Sequence, residues 1–403
     1  MVVMTVLATS ASAPTSCRDV AWTSARERAH AAPTPLPATR VPLADAAGFT
    51  LAGALRSPQP MPGFDTAAMD GYAVGPGGGP WRVRGVVRAG GVWTGGALHA
   101  GEAVGISTGA PVPAGAHAVV PLERATRSGD LVHGPSTAEG RHIRRAGEDA
   151  PAGSVLAPAG TRIGPALLGL AAACGEDTLP VRPRPRVRVL VTGDELTRAG
   201  RPATGRVRDA LGPLLPPLID ASGGETADVR HVPDRPVGSL RACVGAGSYD
   251  GVDVTVVTGS TSVGVTDQLR LLLAEADAHW VVDSVACRPG HPQLLARLPG
   301  HWVVGLPGNP YGALVAAHTL LAPLLSGLLG RPLSALPRIP LAGDIRPVPG
   351  RTRLVPVVWD GTTARPVGGD RPAFLHGAAL ADALAAVAPD WRPGQPAPLI
   401  LHH

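Results

Sequence analysis

The chain has 403 residues, of which 44% are hydrophobic, and it carries a formal net charge of +5. Its length suggests about two to four domains, and its 52 Gly and 44 Pro indicate many turns in otherwise folded domains. No apolar run is long and uninterrupted enough for a transmembrane helix. No internal repeat is visible. The four cysteines lack the spacing of a zinc ribbon or a disulfide framework, and this absence fits a protein of the reducing cytosol.

The first 57 residues predict a tail, a helix and a connecting segment. Residues 1–14 are small and apolar, but no basic residue precedes Arg18, so we expect a flexible tail or a start at Met4 and not a signal peptide. DVAWTSARERAHAA (19–32) predicts a helix that ends at a Pro-rich stretch. VPLADAAGFTLAGAL (41–55) also has the apolar spacing of a helix.

The next region, residues 74–140, predicts β structure. Short Val-rich pieces such as WRVRGVV (81–87) and AVVPLE (118–123) are separated by Gly and Pro at close intervals. PALLGLAAACG (165–175) predicts a helix with a Gly stop. VRPRPRVR (181–188) could be a basic nucleic-acid patch, but no aromatic residues interleave, so an extended linker entering a strand is favoured.

From Val187 to about Gly330, short β-branched runs alternate with segments of helical length. This alternation predicts a parallel sheet with helices on both faces and ligand sites at the carboxyl ends of the strands. After Arg331, short strands around one Ala-rich helix predict a small β-rich C-terminal domain.

Three of the predicted strand ends carry unusual loops. Thr192-Gly193-Asp194-Glu195 offers two acids that could hold a hard cation, although Asp194 could instead cap a helix. Thr258–Gly264, followed by Asp267, could cradle an anion with backbone N–H groups and hydroxyls, or could be a plain turn before a helix. Gly305–Pro310 by itself indicates a structural turn.

A further turn, Arg288-Pro289-Gly290-His291-Pro292, lies between the second and third loops. The planar guanidinium of Arg288 suits oxyanions, and His291 could donate a hydrogen bond or titrate near neutral pH. A lone histidine is nevertheless more often structural. The 13 histidines show no HExxH or other metal-binding spacing.

A series of short motifs follows in order along the chain: PGFDTAAMDGYAV (62–74), GISTGAPVPAGAHAVVPLE (105–123), IRRAGEDAPAG (143–153), VTGDEL (191–196), TGSTSVGVTDQ (258–268), RPGHP (288–292), GLPGNP (305–310) and PGRTRL (349–354). In these motifs the chain resembles the molybdopterin molybdenumtransferases, which include bacterial MoeA and the gephyrin E domain. The resemblance runs from about Ser16 to His403.

The resemblance implies a multidomain fold of the α/β plus β class. A tail (1–14) would precede an elongated N-terminal domain (15–182) with an inserted β subdomain at about 74–142. A central, doubly wound parallel-sheet domain (183–330) would bind molybdopterin, and a small β barrel (331–403) would close the chain. Family members are homodimers whose cleft lies between the central domain of one subunit and N-terminal parts of the other.

The resemblance implies a cytoplasmic enzyme that inserts molybdate into adenylylated molybdopterin and releases AMP. Mg²⁺ would be the assisting cation. Molybdopterin adenylyltransferase and recipient molybdoenzymes are further implied partners, and neither nucleic acid nor a membrane is expected.

The site residues are transferred motif by motif. The catalytic candidates are Asp70, Thr108, Asp149, Glu195, Asp234 and Asp267, of which Glu195 and Asp267 would lie near the metal. Arg288, His291 and Arg351 would face the molybdate oxyanion. The substrate-binding candidates are Gly259, Ser260, Thr261, Ser262, Gly264, Arg288, Pro289, Gly290, His291, Pro292, Pro307, Gly308, Asn309, Pro310 and Arg351.

Several positions depart from the family's usual pattern. The family usually has Lys where Arg288 and His291 stand; all 36 basic residues of this chain are Arg, so only the change to His291 is not explained by composition. Ser260 and Thr261 replace Gly and Val, Arg208–Gly212 lacks the family's Asn, and 368–377 has no Ser. An active transferase is the leading interpretation. A catalytically impaired molybdopterin- or cofactor-binding or scaffold protein, and an enzyme for another nucleotide or oxyanion, are the alternatives.

Overall fold

The computed structural model describes residues 16–235, 238–244, 251–261 and 268–401. The chain divides into two compact units. The large unit comprises Met1–Ala52, Gly160–Ile163 and Leu179–His403, and the small unit comprises Gly53–Ala159 and Gly164–Thr178. The domain boundaries predicted at residues 182 and 330 stay a prediction.

The described strands are β1 (Val20–Ala21), β2 (Thr39–Pro42), β3 (Thr50–Leu51), β4 (Leu55–Arg56), β5 (Thr66–Ala67), β6 (Gly71–Val74), β7 (Trp81–Val87), β8 (Glu102–Ile106), β9 (Ala118–Pro121), β10 (Thr126–Ser128), β11 (Leu131–His133), β12 (Ile143–Arg144), β13 (Val155–Ala157), β14 (Thr178–Arg182), β15 (Arg186–Thr192), β16 (Leu196–Thr197), β17 (Val207–Arg208), β18 (Glu225–Val232), β19 (Val254–Thr258), β20 (His279–Val282), β21 (Val285–Arg288), β22 (Leu294–Leu298), β23 (His301–Leu306), β24 (Arg338–Pro340), β25 (Thr352–Trp359), β26 (Ala364–Pro366), β27 (Ala383–Val387) and β28 (Pro396–Leu401). The helices are α1 (Trp22–Ala31), α2 (Pro165–Ala173), α3 (Leu211–Ala221), α4 (Ser239–Val244), α5 (Gln268–Glu275), α6 (Pro310–Ala316), α7 (Ala322–Leu328) and α8 (His376–Leu380). A π-helical turn (Ala317–Leu321) joins α6 to α7, and short 3-10 helices cover Leu43–Asp45 and Leu122–Arg124.

The central sheet of the large unit has the strand order β18-β15-β19-β23-β22-β20. The first four strands are parallel, and the last two pair antiparallel. Val187, Val189 and Val191 pack on one face with α3, α6 and α7, whereas Leu190 and Val257 pack on the other with α4 and α5. Because successive side chains of a strand point to opposite faces, a strand covered on both sides is apolar throughout. The predicted doubly wound sheet is confirmed.

The apolar segment Pro310–Leu328 is long and apolar enough to cross a membrane by length and composition, with a mean hydropathy of 1.4. It is 78% buried within the chain. Trp22 of α1 donates from its indole N–H to Thr319 Oγ1 at 3.0 Å, and Thr319 donates to the carbonyl of Val315 at 2.7 Å. The segment is therefore a core helix of the large unit, which explains why it is apolar on all sides.

The C-terminal region is β-rich, as predicted, with the strand order β21-β25-β27-β28-β24. The Ala-rich helix is shorter than its composition suggests, because only His376–Leu380 is helical. Ala383–Val387 instead forms β27, a completely buried strand between β25 and β28. Pairing on both edges outweighs the helix propensity of alanine here.

The small unit contains a six-stranded mixed sheet with the order β10-β11-β7-β8-β6-β9, two short ladders (β12–β5 and β13–β4) and α2. The predictions of β structure at 74–140 and a helix at 165–175 are confirmed. The prediction of helical spacing at 41–55 is wrong. Gly48 has a φ of +80°, which breaks a helix, and Thr50 and Leu51 of β3 pair with β14.

The Pro-rich segment 181–188 connects β14 to β15 in an extended form, as the linker interpretation predicts. Its arginines have partners within the chain. Arg184 contacts Asp220, and the almost buried Arg188 donates from Nε to the carboxylate of Asp228 at 3.0 Å.

Candidate functional site

The three loops selected from the sequence meet at the carboxyl ends of β15, β19 and β23. Thr192 Oγ1 donates to the carbonyl of Thr258 at 2.7 Å, and the N–H of Gly259 donates to the carbonyl of Leu306 at 3.0 Å. Gly308 lies so close to Gly259 that a Cβ on it would be 3.6 Å from the Gly259 Cα. This edge of a parallel sheet is where ligands bind in α/β proteins.

The second loop leaves β19 in a left-handed conformation. Gly259 has a φ of +75°, and a Cβ there would lie 2.8 Å from Thr192 Oγ1. Ser260 follows with a φ of +50°, its Oγ 3.3 Å from the same hydroxyl. Thr261 is buried, so its side chain contributes to packing. The other predicted residues of this loop, Ser262, Gly264 and Asp267, lie outside the described residues.

The acidic loop after β15 is tied to the loop after β18. The Asp234 N–H donates to Asp194 Oδ1 at 3.0 Å, and the Asp194 N–H lies 3.4 Å from Asp234 Oδ2. Asp194 therefore does not cap a helix, because strand β16 follows it. The exposed carboxylate of Glu195 folds back over Gly193. No group of three or more His, Cys, Asp or Glu is arranged to hold a metal ion within the described part of the chain.

Asp209 is a buried carboxylate that sequence reasoning missed. Its Oδ1 accepts hydrogen bonds from the N–H groups of Leu211 and Gly212, both at 2.9 Å, and its Oδ2 lies 2.8 Å from His231 Nε2. An Asp two residues before the first residue of α3 is a helix-start signal that could have identified it. Its role is to hold the start of α3 against β18.

The turn 288–292 brings cationic side chains to one edge of the large unit. His291 Nε2 lies 2.6 Å from Asp19 Oδ1, while the Asp19 N–H donates to Ser284 Oγ at 2.7 Å. The hydrogen bond from His291 lowers the pKa of Asp19, with Ser284 and Arg351 acting in the same direction. Arg351 directly precedes β25, which pairs with β21 at Cys287 and Thr352. The predicted oxyanion residue His291 therefore has a carboxylate partner.

The remaining predicted residues of these turns shape the backbone. Gly290 has a φ of +95°, and its carbonyl accepts from Gln293 Nε2 at 2.8 Å. Pro289 is buried, and the side chain of Arg288 is exposed. The turn Pro307–Pro310 leads into α6, where the Asn309 carbonyl accepts from the N–H of Ala313 at 2.8 Å.

Arg270 of α5 joins the loop after β19 to Asp283, in the segment between β20 and β21. Its Nε donates to the carbonyl of Thr261 at 3.1 Å, and its Nη2 donates to the carbonyl of Asp283 at 2.6 Å. Ser284, the next residue, contacts Asp19. Nothing in the sequence singles out Arg270, because its partners belong to separate elements.

The small unit brings together the acidic motifs of residues 62–74, 105–108 and 143–149, through the pairing of β5 with β12. Asp70 Oδ1 accepts from the Thr108 N–H at 2.6 Å and from Thr108 Oγ1 at 3.0 Å. Asp149 forms an ion pair with Arg144. Asp65, which sequence reasoning missed, accepts from the Ala146 N–H at 2.9 Å and from Arg145 Nη1 at 2.5 Å.

The hydrogen bonds from Thr108, with the backbone N–H as the larger cause, lower the pKa of Asp70. We expect Thr108→Val to raise this pKa, because the valine removes the hydroxyl donor and keeps the backbone donor. A titration of the carboxyl carbon by ¹³C NMR measures the change. Thr108→Ser, which keeps a hydroxyl, is the control and should titrate like the unchanged protein. An identical midpoint in Thr108→Val would show that the hydroxyl does not act on Asp70.

The chain is similar to known proteins over most of its length. Three family models match in chain order: the MoeA N-terminal region (domain I and II) at residues 20–175, a "probable molybdopterin binding domain" at 188–327, and the MoeA C-terminal region (domain IV) at 338–399. The chain is 36% identical over 307 residues to molybdopterin molybdenumtransferase 2 of Mycobacterium tuberculosis, covering 72% of this chain and 75% of that protein. It is 34% identical over 353 residues to the molybdopterin molybdenumtransferase of Synechococcus elongatus, covering 82% and 87%.

Solved structures show the same fold. A molybdopterin biosynthesis MoeA protein from Pyrococcus horikoshii superimposes with a TM-score of 0.79 at 22% identity, covering 95% of this chain and all of that one. A second structure of that name and source gives a TM-score of 0.76 at 27% identity, covering 95% and 99%.

Proposed function

Because the chain belongs to the MoeA family of molybdopterin molybdenumtransferases, we propose that it acts in molybdenum cofactor biosynthesis. It inserts molybdate into adenylylated molybdopterin and releases AMP. The observation that carries this proposal is the meeting of the three loops after β15, β19 and β23. The turn 288–292 lies beside the third loop, because a Cβ on Gly312 would be 3.6 Å from both Gly290 N and Pro307 Cβ. Both substrates are anionic, and this edge of the large unit combines hydroxyls, backbone turns and cations.

Different side chains contact each of the two substrates in this proposal. Ser260, in the loop after β19, offers a hydroxyl to the nucleotide. Arg288, His291 and Arg351 bind and orient the molybdate oxyanion, because guanidinium groups donate charge-assisted hydrogen bonds and an imidazole N–H can donate a further one. Asp70, Thr108 and Asp149 of the small unit complete the proposed set of catalytic candidates.

Mg²⁺ fits the donors at the acidic loops. Mg²⁺ is usually held by one or two carboxylates together with substrate phosphates, so it does not need a cluster of protein ligands. Glu195 is an exposed carboxylate that meets this need, Asp267 is the second proposed ligand, and Asp234 lies beside the same loop. When bound, the cation would stabilise the charge that develops as the phosphoanhydride is cleaved.

We also propose the oligomeric state and the cellular location of the protein. The protein acts as a homodimer in the cytoplasm, with molybdopterin adenylyltransferase and recipient molybdoenzymes as its partners. The four cysteines, all of them free thiols, fit a reducing compartment.

The test of the proposed function is AMP release by purified protein that is supplied with adenylylated molybdopterin, Mg²⁺ and molybdate. We expect AMP and molybdenum cofactor to form together and only when molybdate is present. Tight binding of the nucleotide without AMP release would instead identify a carrier or scaffold.

We further expect Glu195→Gln to raise the Mg²⁺ concentration needed for half-maximal AMP release by at least about 10-fold, since even outer partners of metal ligands contribute this much. Glu225→Gln, an exposed position at the start of β18, is the matched control. An unchanged Mg²⁺ requirement in Glu195→Gln would remove Glu195 from the metal site.

A further inference from the structure

The large unit contains a cavity of about 680 Å³ that is separate from the loops described above. It is bounded by α1, α3, the helix 310–328, the segment 331–337 and the end of β28. Most of its wall is apolar and includes Leu214, Leu218, Leu314 and Pro323. This volume and character are typical of a site for a small organic molecule.

Of the arginines that line this cavity, Arg26 is buried and Arg331 is half-buried. Arg26 is 7% exposed; its Nη1 donates to the carbonyl of His318 at 2.9 Å, and its guanidinium carbon lies 5.3 Å from the centre of the Trp22 ring. Arg331 donates from Nε to Thr50 Oγ1 at 2.8 Å, and its Nη2 is buried without a hydrogen-bond partner. Burial lowers the pKa of Arg26 to about 10. Burial, together with the nearby charges of Arg162 and Arg184, lowers the pKa of Arg331 to about 10.

These charges lack a counterion within the cavity. The residues that line it in the described part of the chain include Arg26, Arg162 and Arg331 but no Asp or Glu. Buried arginines in proteins are normally paired with carboxylates, because an uncompensated buried charge is costly. Arg162 is exposed and therefore accessible to a ligand from solution.

We propose that this cavity binds a small anionic amphiphile, whose carboxylate or phosphate group pairs with Arg162 and Arg331 and whose apolar body packs against the leucines. The shape supports this assignment, because the arginines and the apolar wall share one concave surface. The anion offsets the charge of the arginine cluster, and the apolar part distinguishes the ligand from free inorganic anions. The proposal does not depend on the proposed transferase activity.

Isothermal titration calorimetry of the full chain with hexyl phosphate, inorganic phosphate and hexanol tests the proposal. We expect hexyl phosphate to bind at one site per chain, at least about 10-fold more tightly than inorganic phosphate or hexanol. Arg162→Gln should weaken this binding at least about 10-fold, since it removes a charge-assisted hydrogen bond. Arg162→Lys should restore most of it.

The matched control is Arg365→Gln, an exposed arginine of β26 that does not line the cavity. Circular dichroism of each variant verifies that it is folded. Equal binding of hexyl phosphate by Arg162→Gln and the unchanged protein would overturn the proposal. An absence of probe binding, with self-association that weakens in Arg162→Gln, would also overturn it and would identify a second copy of the chain as the occupant.

Discussion

Gly259→Ala is expected to lower kcat/KM for AMP release by at least about 100-fold while the protein stays folded. The added Cβ would lie 2.8 Å from Thr192 Oγ1, and the backbone φ of +75° disfavours any side chain. Strain of this kind costs about 1–3 kcal/mol, which a domain of this size tolerates. Rotating the Thr192 hydroxyl away would break its hydrogen bond to the Thr258 carbonyl, so we expect the loop to move away from Thr192 instead. A displacement of about 1 Å at a reacting centre costs about 100-fold in rate. Steady-state AMP release and thermal unfolding together measure the effect.

Two variants separate the steric clash from backbone strain. Gly300→Ala is a matched control, because Gly300 has a φ of +70° but nothing lies within 4 Å of its Cβ position. It should lose a similar amount of stability and keep its activity. Adding Thr192→Ala to Gly259→Ala removes the clashing hydroxyl and should recover part of the activity. If Gly259→Ala and Gly300→Ala were equally active, the loop after β19 would not be part of the site.

The fold was largely predictable where pattern and burial agree. The alternation of strands and helices after Val187 gives a clear sequence pattern, because each parallel strand is buried on both faces and is therefore apolar throughout. Ala383–Val387 and the segment 41–55 were mispredicted because their structure comes from pairing with distant strands: β27 with β25 and β28, and β3 with β14. Local propensity carries no information about such partners.

The candidate site was predictable for a related reason. Loops at the ends of parallel strands converge whatever their length, so Thr192, Gly259 and Gly308 could be grouped from the strand pattern alone. Asp19 and Arg270 could not be found in this way. Asp19 meets His291 across 272 positions of sequence. Arg270 connects Thr261 to Asp283 through backbone carbonyls, which any residue would offer, and through an ion pair with the Asp283 carboxylate from a separate element.

Asp19 and Arg270 connect the turn 288–292 to the loop after β19 through neighbouring residues. Ser284 contacts Asp19, and Asp283 accepts from Arg270, so adjacent residues join the nucleotide loop to the His291 partner. We therefore expect a shift of the loop after β19 to reach His291, a proposed oxyanion residue, through a short chain of hydrogen bonds. The Asp19 carboxylate lies 2.6 Å from His291 Nε2 and so helps to fix the orientation of the imidazole ring.

His291→Gln is accordingly expected to raise the KM for molybdate by about 10- to 100-fold, the value of a hydrogen bond to a charged group, with little change in the affinity for the nucleotide. Asp19→Asn should act in the same direction through His291, and the two effects should be less than additive because the residues share one hydrogen bond. AMP release at varied molybdate concentrations measures both. Asp277→Asn is the matched control, since Asp277 has a φ of +52°, close to the +48° of Asp19.

A titration of the Asp19 carboxyl carbon by ¹³C NMR tests its contact with His291 directly. It separates this contact from the backbone role of His291, whose carbonyl accepts from the Val285 N–H at 3.2 Å. The lowered pKa of Asp19 keeps its carboxylate ionised at and above its usual value of 3.8, so Asp19 does not titrate in the neutral range. The contact with His291 should therefore be lost only as pH falls below 3.8 and the Asp19 carboxylate takes up a proton. In His291→Ala the pKa of Asp19 should rise towards 3.8, because the largest cause of its lowering is gone; an unchanged midpoint would contradict this contact.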